Sequence, residues 1–402
     1  MGNKLVIIGG GIVGIAIARE LSFSSQFSQI SVIEKETHLG MHSSTRNSGV
    51  IHAGFYYDPN SFRGRFCSEA NKIMRDYCRR NEIPVNRCGK VVVAKNEDEG
   101  LILRELYQRG LANGAKLELL NAEYLHKIEP LAKTFKKFLW SPNTWSASPK
   151  HLLNSLVREC KDRGVEFIFN FEVCVIKEES IASKKGGIIP FDFLINAAGG
   201  YSLKLAHRAG LDTDYAILPF KGLYLKSKRK SKSFARHIYP VPSLKQTFLG
   251  VHTTLTFDNF LKLGPTAIPV ISPENYSLFQ GITFGDFMEV LPLHISLFFQ
   301  NTFGFRDLAW RELKYLAKTQ ILNSANSLLN AKLTPEDFDW YSPGIRAQLF
   351  DKSNKTLVSD FVVKETDNSI HLLNCISPAW TCCFKTSRFI SERVSQKLTR
   401  LK

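Results

Sequence analysis

What this 402-residue sequence lacks narrows it first. No apolar run reaches the roughly 20 residues that a membrane-spanning helix needs. No His-Glu-x-x-His spacing and no Gly-x-Ser-x-Gly elbow occurs, which removes the metallohydrolase and serine hydrolase readings. The eight cysteines (67, 78, 88, 160, 174, 375, 382 and 383) make no Cys-x-x-Cys pair, and the adjacent 382 and 383 do not suit a shared ion, so no metal site is expected. Their mostly apolar neighbours predict buried, reduced thiols in a cytoplasm-like compartment. Acidic residues are outnumbered: 37 Asp and Glu stand against 53 Lys and Arg, a formal charge of +16. Nucleic acid, an acidic membrane surface or an anionic substrate can each exploit such an excess. The densest basic run, residues 226–232, has no interleaved aromatics and matches no nucleic-acid-binding motif. It is read as a basic hairpin loop, and nucleic acid is not expected as a partner.

What is present is organised around the first thirty-five residues. The apolar run 5–8 predicts a buried parallel strand, and Gly9, Gly11 and Gly14 follow it with Gly-x-Gly-x-x-Gly spacing. Residues 12–21, opening on Ile12 and Val13, continue as a helix. A second apolar strand ends at Glu34, about 20 residues past Gly14. Gly9 permits a tight turn, Gly11 lets a pyrophosphate approach the backbone, and Gly14 lets the helix pack closely on the strand. The helix start favours phosphate through its exposed N–H groups and its dipole. Glu34 is placed to accept hydrogen bonds from a ribose. Together these predict a dinucleotide site. Because the strand starts at Leu5, no leader peptide is expected ahead of it.

Residues 35–54 are rich in hydroxyls, Gly and His, which suits a loop wrapping a polar cofactor, with Ser43, Ser44 and Asn47 as hydrogen-bonding groups. Apolar spacing predicts helices over 61–82, 97–114, 149–164 and 309–329. Strands are expected near 89–94, 165–169, 173–176, 191–196, 217–225, 238–241, 250–252, 260–264 and 370–375, and the later ones alternate as a mostly antiparallel sheet does. Residues 292–303 are unusually apolar and are read first as a core helix, with peripheral membrane contact as the alternative. The fold expected is α/β and α+β: a Rossmann-type cofactor domain from 1–85, 146–212 and 344–402, interleaved with a mostly antiparallel-sheet substrate domain from 86–145 and 213–343.

Glu34-Lys35-Glu36, residues 42–54, Tyr56-Tyr57, Cys67 and Cys88-Gly89-Lys90-Val91-Val92-Val93-Ala94 resemble the L-2-hydroxyglutarate oxidase/dehydrogenase family of FAD enzymes, within the D-amino-acid-oxidase-like superfamily. The resemblance continues through His237-Ile-Tyr239-Pro-Val-Pro242, Leu249-Gly-Val-His252, Gly264-Pro265 and Ser342-Pro-Gly344-Ile-Arg346-Ala-Gln348, and ends near Ile376-Ser377-Pro378-Ala379. It implies FAD, oxidation of a small 2-hydroxy acid (L-2-hydroxyglutarate first) by hydride transfer to flavin N5, and a membrane quinone or oxygen as electron acceptor. A cytoplasmic protein, peripheral on the inner face of the cell membrane, would suit such an acceptor. The implied cofactor residues are Gly9, Gly11, Ile12, Val13, Gly14, Glu34, Lys35, Ser43, Ser44, Asn47, Ser48, Gly49 and Gly344, with the Val173 backbone at the adenine and a second close turn at Ala198 and Gly199. Ser377 would cap a final helix, with Pro378 at its first position and Ala379 next, aimed at the flavin pyrimidine ring.

Oxidising a hydroxy acid requires a held carboxylate, removal of the hydroxyl proton and delivery of a hydride. Arg346 matches the superfamily's carboxylate clamp, because its planar fork pairs bidentately. His52 and then His252 are the candidate bases, Tyr56 and Tyr239 orient substrate, and Lys221 adds charge for a second carboxylate. Two departures bear on the substrate: Thr45-Arg46 stands where the best-known members have Gly-His, and Lys221-Gly222-Leu223 where they have Arg-Gly-Glu. The alternatives are an amine or amino-acid oxidase on the same fold, and a flavin-binding, membrane-docked interaction module with little catalysis.

Overall fold

A computed structural model describes residues 3–242, 248–277 and 280–400. The backbone divides into two compact units, each assembled from separated stretches: Met1–Thr45, Pro149–Pro219 and Arg346–Lys402 in the first, Arg46–Ser148 and Phe220–Ile345 in the second. Residues 46–85, assigned from the sequence to the cofactor domain, fall in the second unit. Strand pairing is the reason: Val50–Ile51 and Val85–Asn86 both pair antiparallel with Trp145–Ala147.

The first unit is built on a six-stranded sheet in the order Val363–Glu365, Ser369–Leu372, Phe193–Asn196, Lys4–Ile8, Gln29–Ile33, Glu166–Ile168. Every pairing is parallel except that of the edge strand Val363–Glu365. Lys4–Ile8 and Gln29–Ile33 are apolar for four consecutive residues or nearly so because their interior residues are all buried, as expected of strands covered on both faces. The helix Ile12–Leu21 packs on Pro149–Asp162 and on the last helix, Ala379–Arg400. Arg19 Nε meets Glu159 Oε2 at 2.6 Å, tying the first two together.

The second unit carries a long, mostly antiparallel sheet. Its strands run in the order Phe338–Asp351, Tyr215–Lys230, Phe260–Gly264, His252–Leu255, His237–Pro240, Lys90–Val93, Lys137–Ser141, Glu118–Asn121. His237–Pro240 and Lys90–Val93 form its parallel pair. Most of the basic run is strand rather than loop: the strand continues to Lys230, with residues 231–232 opening the connection after it, and Lys226 Nζ lies 4.1 Å over the Phe260 ring.

The apolar stretch near 292–303 is not a core helix. The helix Phe284–Gln300 buries Asp286, Val290 and Leu297 and turns Phe284 (81 % exposed), Met288, Ile295 and Phe299 (78 % exposed) to solvent. It ends at Asn301, in the left-handed region at φ 47°, and a second helix follows at Phe305–Leu313. No helix among the described residues is long and apolar enough to cross a membrane. All eight cysteines are free thiols, six of them buried.

Candidate functional site

In the first unit the strand Lys4–Ile8 delivers the glycine turn. Gly9 has φ +113°, and a Cβ there would lie 2.4 Å from Ala197 O; a Cβ on Gly14 would lie 2.1 Å from Gly9 O. Neither position accepts a side chain without backbone movement. The helix Ile12–Leu21 starts with Gly11 as its cap residue and has no capping side chain of its own. Ser44 supplies the capping oxygen, accepting the Ile12 N–H at 2.8 Å. Glu34 is buried; its Oε2 accepts the Gly10 N–H and its Oε1 the Glu36 N–H, both at 2.9 Å. Ala197 N–H donates to Ile8 O at 2.9 Å, which draws the Ala198–Gly199 turn against Gly9.

The other cofactor candidates of this unit are placed differently. Val173 packs with Val6, Ile8 and Ile33, and its carbonyl accepts from Arg208 Nη1 at 3.0 Å. Lys35 pairs with Glu36 and lies 5.5 Å from the Tyr201 ring centroid. Ser43 is exposed, Ile12 buried and Val13 half-buried. The last helix begins at Ala379 rather than at Pro378: Pro378 O accepts the Cys382 N–H at 3.0 Å, so Pro378 holds the cap position assigned from the sequence to Ser377. Arg346, half-buried, lies on the strand Phe338–Asp351.

In the second unit Asn47 Oδ1 accepts the Gly49 N–H at 2.7 Å, so its side-chain carbonyl shapes the turn through Ser48. Gly344 passes close to this loop, where a Cβ would lie 2.5 Å from Arg46 O. His52 follows Val50–Ile51. Its carbonyl accepts from Asn71 Nδ2 at 3.1 Å and from the Cys67 thiol at 3.4 Å, so buried groups of the helix Phe62–Arg80 hold the His52 backbone.

The sheet of this unit collects polar side chains on one face. Register places Lys226 opposite Lys262, Lys262 opposite Thr254, His237 beside Lys90, and Lys90 opposite Ser141. The pairing of Ile238 with Thr253 sets Tyr239 opposite His252, and their rings stack with centroids 3.8 Å apart. His252 Nδ1 donates to Gly250 O at 2.9 Å, which fixes the orientation of the ring. His237 Nδ1 accepts the Leu255 N–H at 3.0 Å, and burial, with Lys90 and His252 nearby, brings its pKa down to about 3. Burial raises the Tyr56 and Tyr239 phenols, so both stay protonated donors. Lys221 is not on this row; its Nζ donates to Ser277 O at 3.4 Å.

Two members of the face, Lys90 and Lys262, were not singled out as site residues from the sequence. Burial lowers each amine to about 7. Lys262 Nζ donates to Asn47 O at 3.3 Å. The available signal was a lysine alternating inside an apolar strand, as in Leu261-Lys262-Leu263.

Residues 4–393 match the FAD dependent oxidoreductase family. The chain belongs to that family. It is 32 % identical over 405 residues to an L-2-hydroxyglutarate dehydrogenase of Escherichia coli strain UMN026, covering 98 % of this chain and 93 % of that protein. It is 33 % identical over 415 residues to the mitochondrial L-2-hydroxyglutarate dehydrogenase of Mus musculus, covering 97 % and 88 %. In fold it is similar to the L-α-glycerophosphate oxidase of Mycoplasma pneumoniae, solved reduced with FAD bound, with a TM-score of 0.75 and 22 % identity over 99 % of this chain and 95 % of that one. As an FAD-dependent oxidoreductase the protein needs a dinucleotide cradle, and the first unit fits one: side chains are excluded at Gly9 and Gly14, a helix N-terminus is aimed along the turn, and a carboxylate closes the second strand.

Proposed function

We propose that the protein oxidises L-2-hydroxyglutarate to 2-oxoglutarate. The observation that carries this reading is the buried cationic and phenolic sheet face of the second unit, with Lys90, Lys262, Tyr239 and His252 brought together by register. Such a face suits a small dicarboxylate. Full-length relatives bearing that activity in their names support the same substrate.

FAD is held in this reading by Gly9, Gly11, Ile12, Val13, Gly14, Glu34, Lys35, Ser43 and Ser44, by Ala198, Gly199 and the Val173 backbone, and by the segments Asn47-Ser48-Gly49, Gly344 and Ser377-Pro378-Ala379. When bound it supplies the acceptor for the C2 hydride. Arg346 pairs bidentately with the substrate carboxylate next to the reacting carbon. His52 or His252 takes the hydroxyl proton, and the bond from His252 Nδ1 to Gly250 O holds that ring in place. Tyr56 and Tyr239 orient the substrate through protonated phenols, and Lys221 supplies charge for the distal carboxylate.

The outward face of Phe284–Gln300 supports a membrane partner in this reading. Phe284, Phe287, Met288, Ile295 and Phe299 lie along it, and Trp310 continues it with its ring 6.1 Å from that of Phe298. Arg306 and Lys314 are exposed beside these residues. We assign this face to contact with an anionic lipid surface, where apolar side chains sink into the headgroup boundary and cations meet lipid phosphate. Contact of this kind brings the enzyme to a membrane quinone, on the inner leaflet for a cytoplasmic protein.

The deciding experiment is anaerobic addition of L-2-hydroxyglutarate to the purified yellow protein. Bleaching of the flavin bands by this acid, and not by the D form or L-glutamate, supports the reading. Bleaching by amino acids with ammonia release assigns an amine oxidase instead. A flavin that no acid reduces assigns a binding module.

A further inference from the structure

The ammonium of Lys90 is enclosed by rings. Its Nζ lies 4.6 Å from the Phe55 centroid, 4.6 Å from that of Tyr56 and 4.5 Å from that of Tyr239. The side chain is 0 % exposed, and the amine has no hydrogen-bond partner. The Tyr56 hydroxyl is likewise buried without a partner. The negative ring faces are therefore the groups that stabilise this charge. A methionine would fill the same volume without the cost of removing an amine from water, so packing alone does not account for a lysine here.

The titratable groups that face Lys90 come from each neighbouring element: His237 and Tyr239 from the parallel strand, Tyr56 from the segment after Val50–Ile51, Cys67 from the helix Phe62–Arg80, and His252 behind Tyr239. No carboxylate pairs with it among the described residues, so its field is not cancelled locally and reaches the residues stacked on the cage.

We propose that Lys90 is a positioning residue of the substrate site: it pins the Tyr56 and Tyr239 rings, and its charge tightens the binding of an anionic substrate. Because burial brings the amine to about 7, that charge fades across the neutral range. Substrate affinity then weakens as pH rises, while the turnover rate at saturation changes little.

The affinity part rests on the hydroxy-dicarboxylate reading above; the ring-pinning part does not, and two measurements on the FAD-loaded protein separate them. The first is the tyrosine near-UV difference spectrum between about pH 6 and 8.5, which reports the rings around the amine as it titrates. The second is KM and kcat for L-2-hydroxyglutarate over the same range. In the wild type a tyrosine difference band appears and KM rises about tenfold with pH. In Lys90→Met the band shrinks and KM is high and flat, with kcat within about threefold of the wild type. Lys262→Met removes the separate contribution that Lys262 makes through Tyr224 and Tyr341. A folded, FAD-loaded Lys90→Met that keeps the wild-type KM, or one that loses kcat equally at every pH, overturns the proposal. Should that variant not fold, a wild type without a tyrosine band and with flat KM overturns it. Failure of L-2-hydroxyglutarate to react at all refutes the substrate reading and leaves the tyrosine band to decide the role of Lys90.

Discussion

Glu34 Oε2 accepts the backbone N–H of Gly10 at 2.9 Å, so a carboxylate at the end of one strand fixes the turn that leaves its neighbour. Glu34→Ala removes both this bond and the one to Glu36 N–H, leaving buried donors unpaired. FAD affinity is expected to fall by about tenfold to a hundredfold, a loss of ~1.4–2.8 kcal/mol. Glu34→Gln, which keeps one carbonyl acceptor, should lose less. Flavin fluorescence on dilution measures both, and an unchanged dissociation constant in the alanine variant would refute the assignment.

Glycine substitutions should have opposite signs at two helical sites. Gly14→Ala drives a Cβ to 2.1 Å from Gly9 O and should cost about 1–3 kcal/mol along with FAD retention. Gly100→Ala, in the helix Glu97–Ala112, meets nothing within 4 Å and should gain ~0.5–1 kcal/mol. Urea unfolding of the two variants tests the pair.

Arg346→Lys keeps the charge and loses the fork. If Arg346 clamps the carboxylate, KM rises by about a hundredfold while the visible spectrum of bound FAD is unchanged. A variant with wild-type KM would mark Arg346 as structural.

His237 should make the protein acid-labile. Its folded pKa of about 3 lies below the unfolded value near 6.5, so the unfolded chain binds the extra proton between these limits. The stability this provides is complete above about pH 6.5 and is lost progressively as pH falls toward 3. Protonating Nδ1 also forfeits the Leu255 N–H bond. Lys90 and Lys262 act in a higher window: with folded values of about 7 and unfolded values near 10.4, stability rises with pH between them. Urea midpoints for the wild type, His237→Gln and Lys262→Met across pH 4–10 should show the acid slope shrink in the first variant and the alkaline rise shrink in the second.

Replacing Phe284, Phe299 and Trp310 by Ser should reduce sedimentation with anionic phosphatidylglycerol vesicles by tenfold or more, while neutral phosphatidylcholine binds weakly throughout. These side chains are exposed, so FAD content and activity with a soluble dye should not change. A concentration-dependent dimer that the same substitutions abolish would give this face to a second copy of the chain instead.

The parallel strands and the glycine turn were legible because their signals are local: Leu5 to Ile8, three glycines and Glu34 lie within one short stretch. Lys90 and Lys262 were not, because a lysine in a strand becomes informative only when register sets it beside His237 or Thr254, far away in sequence. Hydropathy correctly marked residues 292–303 as apolar, but it carries no information on which side of a helix faces outward; Asp286 is buried while Phe284 is not. The placement of residues 46–85 depended on pairing with Trp145–Ala147, a partner that their own composition does not name. Pro378 took the cap position because its carbonyl, present in every residue type, accepts the first helical bond.

Ser369–Leu372 lies inside the first unit's sheet, between Val363–Glu365 and Phe193–Asn196, although it is among the last strands of the chain. A ribosome delivers the glycine turn first and this strand more than 350 residues later. Until that strand is made, Phe193–Asn196 is left as an unfinished sheet edge, a template for wrong pairing. Circular permutants that begin in the exposed turn at residues 352–355 would supply that strand early, and their refolding yield against the parent order would show whether gene order alone affects folding.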